Sequence, residues 1–526
     1  MGSFSSIKSM LSLVHVALFI GTFSTPIHAS SEQQTVLGIQ SGLPIRAGLP
    51  VANSTRSFWF TDPSILPSPT HGSQGPLTDD ADICIIGSGI TGTSTAYHLA
   101  KAFSEGGVVE GLDRPVKATI FEAREFCSGA TGRNGGHITS DLFFEFLRRE
   151  RAYGTEEAVR AVRIEEYVVR EVKKLLAEQN KTDFVDFVSG GRVYLAFSER
   201  ELAGWKADFE AAKAAGVDVS AAEWFSKEET QEKFGASYPS VLTPGNNIWP
   251  LKLVSVLFNL AKKIGSDSQT FTVDLHTETP VTAVTPIPQY ANSSAVFPRR
   301  HSLSTPRGRV SCSYVVYATN GYTSHLLPHL AGPNGIIPKR AQIIATRASV
   351  GQDVLSTVAG VANDGVDYWF PRPIKGPEEK HPLVIIGGGE KVEFELYKTD
   401  DSVLNPPVGE ALRKVMPSLY PQRFEAHREP EMEWTGILSY TKTGDPFVGP
   451  VIDPANPNDP AREGQFVSAG YSGHGMPRAY ACAEAVSKMV IADLKQEKWE
   501  QPEWLPTNYL TAKHSSVSYE INRTVA

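Results

Sequence analysis

The sequence predicts a mixed α/β fold, opened by a dinucleotide-binding unit and continued by alternating strands and helices. Three observations predict it. The stretch "ADICIIGSGITGTSTAYHLA", Ala81 to Ala100, runs from a short apolar strand through three glycines into a helix-like segment. Strand-like and helix-like runs then alternate along the chain, the order expected of a layered α/β protein. Finally, 526 residues that are 41% hydrophobic can bury a large core.

The N-terminus lies outside that fold. "MGSFSSIKSMLSLVHVALFIGTFSTPIHAS" has one cation, Lys8, then an apolar stretch too short to span a bilayer, and reads as a signal peptide over residues 1–29. Four sequons, at Asn53, Asn180, Asn292 and Asn522, fit a secreted glycoprotein of a eukaryotic secretory pathway. No membrane association is expected after signal cleavage. Residues 30–78 are rich in Ser, Pro and Gly and read as an arm, with "SFWF" (Ser57 to Phe60) docking it on the body.

Charge and cysteine usage exclude some classes. A net charge of -8 with a pI near 6.0 argues against a nucleic-acid partner. The cysteines, Cys84, Cys127, Cys312 and Cys482, are too few for a disulfide framework. Cys84 and Cys312, inside apolar runs, read as buried thiols. With no CxxC or HExxH spacing, no metal site is expected.

Each later element follows from its pattern. "KATIFEA" is a second strand, and Thr155 to Gln179 is a long amphipathic helix whose Val and Leu stripe reads as core. "GGRVYLAFS" is a strand leading into the helix "ERELAGWKADFEAAKAAG". "WPLKLVSVLFNLAKKIG" is a helix with Pro250 near its start. "TPVTAVTP", "RVSCSYVVYATNG" and "HPLVIIGGG" are strand-like. "VIIGGGE" lacks dinucleotide spacing and is read as a strand of a second, substrate-binding domain. A last helix runs from Pro477 to Leu494.

"GSGITG" fits G-x-G-x-x-G through Gly87, Gly89 and Gly92, with Ser88, Ile90 and Thr91 completing the turn. The glycines permit a tight turn, a close pyrophosphate and close helix–strand packing, and the helix N-terminus favours an anion. Glu122, followed by Ala123 and Arg124, ends the next strand, where a carboxylate accepts from ribose hydroxyls. It lies 30 residues past Gly92 because "GGVVEGLDRP" is inserted. An ADP moiety is implied, which NAD and FAD share. The second glycine-rich loop, "EFCSGATGRNGGHITSD", favours FAD, whose ribityl chain and ring need close backbone approach.

These segments resemble flavin-dependent amine and amino-acid oxidoreductases of the D-amino acid oxidase superfamily. "DADICIIGSGITGTSTAYHL" and "GATGRNGGH" are most similar to its fungal and γ-glutamylputrescine oxidase-like members. "YVVYATNGYTSHLLP", "PKRAQI", "WTGILSYTKTGDPFVGP" and "GYSGHGMPRAYACAEAV" follow in the family's order. The resemblance implies a Rossmann-like FAD-binding domain interleaved with an α+β substrate domain whose sheet is mixed and largely antiparallel. The FAD-binding parts are 79–185, 245–335 and 430–510, the substrate parts 186–244 and 336–429, and 511–526 a tail. Besides the first turn and Glu122 to Arg124, it implies cofactor contacts from Ser128, Thr131, Gly132, Arg133, Asn134, Gly135, Val281, Ala318, Thr319, Gly473, His474, Gly475 and Met476.

The implied reaction oxidises a C–N bond of an amine or amino-acid-like substrate by hydride transfer to flavin N5, with dioxygen as acceptor and peroxide as product. Candidate catalytic residues are His474, His137 and Arg133. Either histidine can face the flavin, tune the amine or be structural, and Arg133 can serve a phosphate, the flavin or a substrate carboxylate. Tyr368 and Trp369 are pocket or core. Leu438 and Ser439 stand where a related branch attaches flavin through cysteine, so noncovalent FAD is favoured, with His137 the alternative link. Pro477 and Arg478 stand where that branch has a carboxylate-gripping lysine. Two other readings stay open: a tailoring oxidase desaturating a secondary metabolite, and an inert flavin-binding protein.

Overall fold

The computed structural model describes residues 45–106, 112–288 and 296–514. The expected signal peptide and the sequons at Asn292 and Asn522 lie outside them; Asn53 and Asn180 are exposed. No helix among the described residues is long and apolar enough to cross a membrane.

Two eight-stranded sheets organise the chain. The first holds β1 (Asp80–Ile86), β2 (Val116–Phe121), β6 (Phe271–His276), β7 (Ala283–Pro286), β8 (His301–Thr305), β9 (Gly308–Tyr317), β15 (Phe447–Pro450) and β16 (Gln465–Ala469). Its main path is β15-β16-β9-β1-β2-β6, with β1 parallel to both β2 and β9, and the β7–β8 hairpin attached to β9. β1 is buried along almost its whole length, as parallel strands covered on both faces must be. Hence Ile83–Ile86 is a continuous apolar run that does not alternate, and the buried Asp82 before it is paired with Arg114 and Arg299.

The second sheet holds β3 (Arg192–Leu195), β4 (Glu223–Phe225), β5 (Ser240–Thr243), β10 (Ile337–Arg347), β11 (Ala359–Ala362), β12 (Asp367–Pro371), β13 (Leu383–Gly387) and β14 (Met432–Tyr440), in the order β14-β10-β13-β12-β11-β3-β5-β4. All neighbours are antiparallel except β11 and β3. "LVIIG" is β13, inside this sheet. β14 begins at Met432, in the segment expected to return to the first sheet, yet it pairs with β10 from Ile337 to Ala345. The chain therefore leaves the second sheet only after Tyr440.

The longer helices are α1 (Ile90–Ser104), α2 (Phe146–Tyr153), α3 (Thr155–Glu178), α4 (Glu199–Ala214), α5 (Pro250–Ser268), α6 (Pro406–Leu419) and α7 (Ala479–Lys495). The fully buried Ala479, Ala481, Ala483 and Ala485 let α7 lie close to α1, where Ser487 Oγ donates to the Thr95 carbonyl at 3.3 Å. α7 starts after Pro477, which lies in the preceding turn, because Arg478 is the cap.

One expectation is corrected. Cys84 and Cys312 are joined in a disulfide between β1 and β9, while Cys127 and Cys482 are the buried free thiols. Two apolar runs that read separately as core turn out to be adjacent parallel strands, and adjacency is invisible to a reading of each run alone. "SFWF" does dock the arm: Trp59 is fully buried, donating from Nε1 to the Asn134 carbonyl at 2.7 Å.

Candidate active site

A single large cleft collects the C-terminal ends of β1, β2, β9 and β16, the position where open α/β sheets bind ligands. After β1 the chain turns at Gly87, whose φ of +109° suits glycine, and an added Cβ there would meet the Ala318 carbonyl oxygen at 2.5 Å. Gly92 is equally constrained, since its Cβ would lie 1.9 Å from the Gly87 oxygen. Gly89, the α1 cap, carries no side-chain cap bond, so the helix opens toward the cleft with amides available to an anion. Thr131 Oγ1 takes the Ile90 N–H at 3.1 Å and so ties the second glycine-rich loop to the first.

Glu122 lies in the cleft wall, held by the Ser88 N–H at 3.0 Å, the Ser88 hydroxyl at 2.7 Å and the Arg124 N–H at 3.1 Å. Oε2 takes both Ser88 bonds, which leaves acceptor capacity on Oε1 for a ribose hydroxyl. An anion-receptive helix end, a fixed carboxylate and a glycine at 129, where a Cβ would meet nothing within 4 Å, fit an adenine dinucleotide.

Of the residues expected to hold that cofactor, Gly87, Gly89, Ile90, Thr91, Glu122, Ala123, Arg124, Thr131, Arg133, Asn134, Gly135, Val281, Ala318, Thr319, Gly473, His474, Gly475 and Met476 line this cleft. Ser88, Gly92, Ser128 and Gly132 do not. Ser88 instead orients Glu122 and donates nothing outward, and its hydroxyl also accepts from the Cys127 N–H at 2.8 Å. Gly92 and Gly132 are packed against the backbone of Gly87 and Cys127. The Ser128 carbonyl accepts from Arg124 at 2.9 Å and from Arg133 at 2.8 Å.

Arg133 is committed to structure. Its guanidinium donates to the carbonyls of Ser128 and Thr435, to Thr55 Oγ1 at 3.2 Å and to Ser54 Oγ. Burial pulls its pKa down to about 10. Those partners leave it no role as a substrate-carboxylate clamp. Arg124 is similarly held, bidentate on Asp401 at 2.8 and 3.1 Å.

The other end of the cleft lies toward the second sheet. His137 is half-buried, and desolvation pushes its pKa down to about 3, so the ring is neutral at physiological pH. Its ring lines the cleft and packs edge-on to Tyr368 and Phe370, and its buried Nε2 has no hydrogen-bond partner among the described residues. Tyr368 faces the cleft while its β12 neighbour Trp369 is core against Tyr420, the alternation expected of a strand.

His474 lies 3.4 Å from both Asp141 and Glu165. Glu165 is buried on α3 and also pairs with Arg478 at 2.8 Å; Asp141 pairs with Arg192 at 2.9 Å. Burial opposes ionisation of Glu165, but His474 and Arg478 outweigh it and hold the carboxyl well below the ordinary range. Asp141, Glu165 and His474 are close enough to share a metal ion. Two guanidinium groups already neutralise the carboxylates, however, and a third cation would be repelled.

Sequence reasoning missed Asp141, Glu165, Arg192 and Tyr194. Glu165 carried a signal, being a charged residue in phase with the buried stripe of α3. The first turns of that stripe (Ala158, Ala161 and Val162) face the cleft, although the stripe reads as pure core. Leu49 and Pro50 of the arm also line the cleft.

The model of a family described as "DAO: FAD dependent oxidoreductase" matches residues 82–489. The chain is 26% identical over 423 residues to gamma-glutamylputrescine oxidoreductase of Escherichia coli (strain K12), covering 79% of this chain and 84% of that one. It is 23% identical over 430 residues to glycine oxidase of Bacillus subtilis (strain 168), covering 79% and 94%. Among solved structures, glycine oxidase from Geobacillus kaustophilus superimposes with a TM-score of 0.59 at 19% identity, covering 82% of this chain and 99% of that chain.

Proposed function

Because the chain belongs to the DAO family of FAD-dependent oxidoreductases, we propose that it is a secreted oxidase that removes hydride from the carbon beside an amine nitrogen. The substrate is a small amine or amino-acid-like molecule, and dioxygen is the terminal acceptor, giving hydrogen peroxide. Gamma-glutamylputrescine oxidoreductase and glycine oxidase among its relatives support an amine or amino-acid substrate. Bound FAD supplies hydride acceptance at N5 and passes the electrons on to dioxygen.

The protein's residues bind, orient and exclude water. The α1 N-terminus and the Gly87–Gly92 turn take the pyrophosphate, and Glu122 takes the ribose. The Gly473–Met476 turn opens α7, whose positive end favours charge developing on a nearby acceptor. The neutral His137 offers Nε2 to a substrate N–H, and such a poorly solvating wall favours the uncharged amine that hydride loss requires. Once hydride and proton have left, water hydrolyses the resulting imine.

The observation that carries this reading is that His137, partly buried and with a neutral ring, lines the same cleft as the glycine turn. Noncovalent FAD is favoured, since Leu438 and Ser439 line the cleft without a thiol. The Cys84–Cys312 disulfide supports secretion, because such bonds persist in oxidising compartments.

The test is a visible spectrum of the purified protein before and after acid precipitation, followed by an amine panel with peroxide readout. Flavin released to the supernatant and peroxide formed with an amine are expected. Flavin retained in the pellet refutes noncovalent binding. A flavin-loaded protein that reoxidises in air yet makes no peroxide with any amine refutes the oxidase assignment.

A further inference from the structure

We propose that the N-terminal arm, residues 45–56, is a component of the cofactor site, in which Leu49 and Pro50 form an apolar wall for the adenosine end of the dinucleotide. The proposal rests on the FAD reading above. The family match begins at residue 82, so it says nothing about this segment. Even so, Leu49 and Pro50 line the same cleft as Gly87, Glu122, Ala123 and Arg124.

The arm is pinned at both ends, against segments that border the glycine turn. On one side, Arg46 Nε donates to the Ser324 carbonyl at 3.1 Å and the Ala47 N–H to Ser324 Oγ at 3.0 Å, in the segment that follows β9. On the other, Arg124, just past β2, donates to the Val51 carbonyl at 3.3 Å. β1 lies between β9 and β2, so both anchors come from segments that follow the strands flanking β1, whose end turns at Gly87.

Further along, the Thr55 N–H donates to the Asp401 carbonyl at 2.8 Å, and Thr55 Oγ1 accepts from the Thr435 N–H at 2.9 Å. Arg133 adds bonds to Ser54 and Thr55. The two arginines that sequence alone assigned to the cofactor thus hold the arm against the cleft. Leu49, 37% exposed, is a large apolar side chain on a backbone fixed in this way. A purine has apolar faces and would bury that side chain, whereas a phosphate or a flavin ribityl chain would not.

The test compares ADP, FMN and FAD binding by calorimetry to flavin-stripped wild type, Leu49→Ala and Leu49→Ala/Pro50→Gly. FMN has no adenosine. Dissociation constants for ADP and FAD should rise about fivefold in the single variant and about tenfold in the double, with FMN unchanged. ADP should also slow tryptic cleavage after Arg46 in the wild type. Unchanged ADP affinity in both variants, an equal loss for FMN, or cleavage indifferent to ADP overturns the proposal while FAD binding stands. A correctly folded wild type that binds neither FAD nor ADP overturns the cofactor reading itself, and the arm's role with it.

Discussion

Replacing Glu165 by alanine should be among the most damaging single changes near the cleft. The carboxylate is 2% exposed and accepts from Arg478 Nε at 2.8 Å, from Arg478 Nη2 at 2.8 Å and from the Asp141 N–H at 2.8 Å. Without it, the buried Arg478 guanidinium keeps only the Gly444 carbonyl at 3.3 Å. Breaking a buried ion pair by removing one partner costs about 3–5 kcal/mol, and the orphaned Asp141 N–H adds to that, so we expect ~4 kcal/mol in all. Glu165→Gln keeps an acceptor for Arg478 and should cost about half as much. The sign with pH is fixed: a carboxyl held below its ordinary 4.5 stabilises the native state above that pH and loses the contribution as pH falls. Glu165→Gln should therefore be less acid-sensitive than wild type below pH 4.5. Urea midpoints of the holoprotein, followed by flavin absorbance and far-UV dichroism, are the assay. A Glu165→Ala loss under about 1 kcal/mol would refute the network as a structural element.

Other consequences can be checked independently. Burial holds His98 and His301 near pKa 4 and His137 near 3, against an ordinary 6.5. The unfolded chain then binds protons that the native state refuses, so stability should drop as pH falls from 6.5 toward 4, by about 1.4 kcal/mol per pH unit per histidine. A urea midpoint flat between pH 7 and 5 would contradict this. Removing the Cys84–Cys312 disulfide, which spans 228 residues, should cost ~5 kcal/mol on the chain-entropy estimate. Thiol titration in denaturant should find only Cys127 and Cys482, and finding four thiols would sink the pairing. Gly92→Ala should abolish FAD binding while the protein still expresses, because its Cβ would press on the Gly87 oxygen; normal FAD affinity in that variant would count against the assigned turn.

The glycine turn, Glu122 and the last helix were legible in the sequence because each is a local pattern in which a few adjacent residues state both geometry and chemistry. The second sheet was less so. β10 and β14 are joined through pairing across about a hundred residues, which is why β14 read as part of the flavin domain. The Cys84–Cys312 pairing failed for the same reason. At the other end of the cleft, Asp141, Glu165, Arg192 and His474 come from four separate segments, and no short window contains them. Arg133 is the converse case: its place in a glycine-rich loop suggested a ligand, while its actual partners Ser54, Thr55, Ser128 and Thr435 are scattered or backbone.

The arginines also bear on which substrates fit. Five line the cleft, and each is held by the protein: Arg124 by Asp401, Arg133 by carbonyls and hydroxyls, Arg149 by Asp445, Arg192 by Asp141 and Arg478 by Glu165. A substrate carboxylate would have to compete with a carboxylate already in place, and desolvating it without a free cation is costly. Of the other acidic lining residues, Asp364 and Glu390 are paired with Lys391 and Lys339, which leaves those two cations committed as well. An amine should therefore be turned over at least as well as the amino acid that carries an extra carboxylate at the reacting carbon. The comparison is kcat/KM for matched pairs differing only by that group, at several salt concentrations. A preference of about tenfold or more for the carboxylated member, weakening with salt, would mean that one of these ion pairs opens to receive substrate. Arg192 would then be the first to examine, because its partner Asp141 is the more exposed carboxylate of the two beside His474.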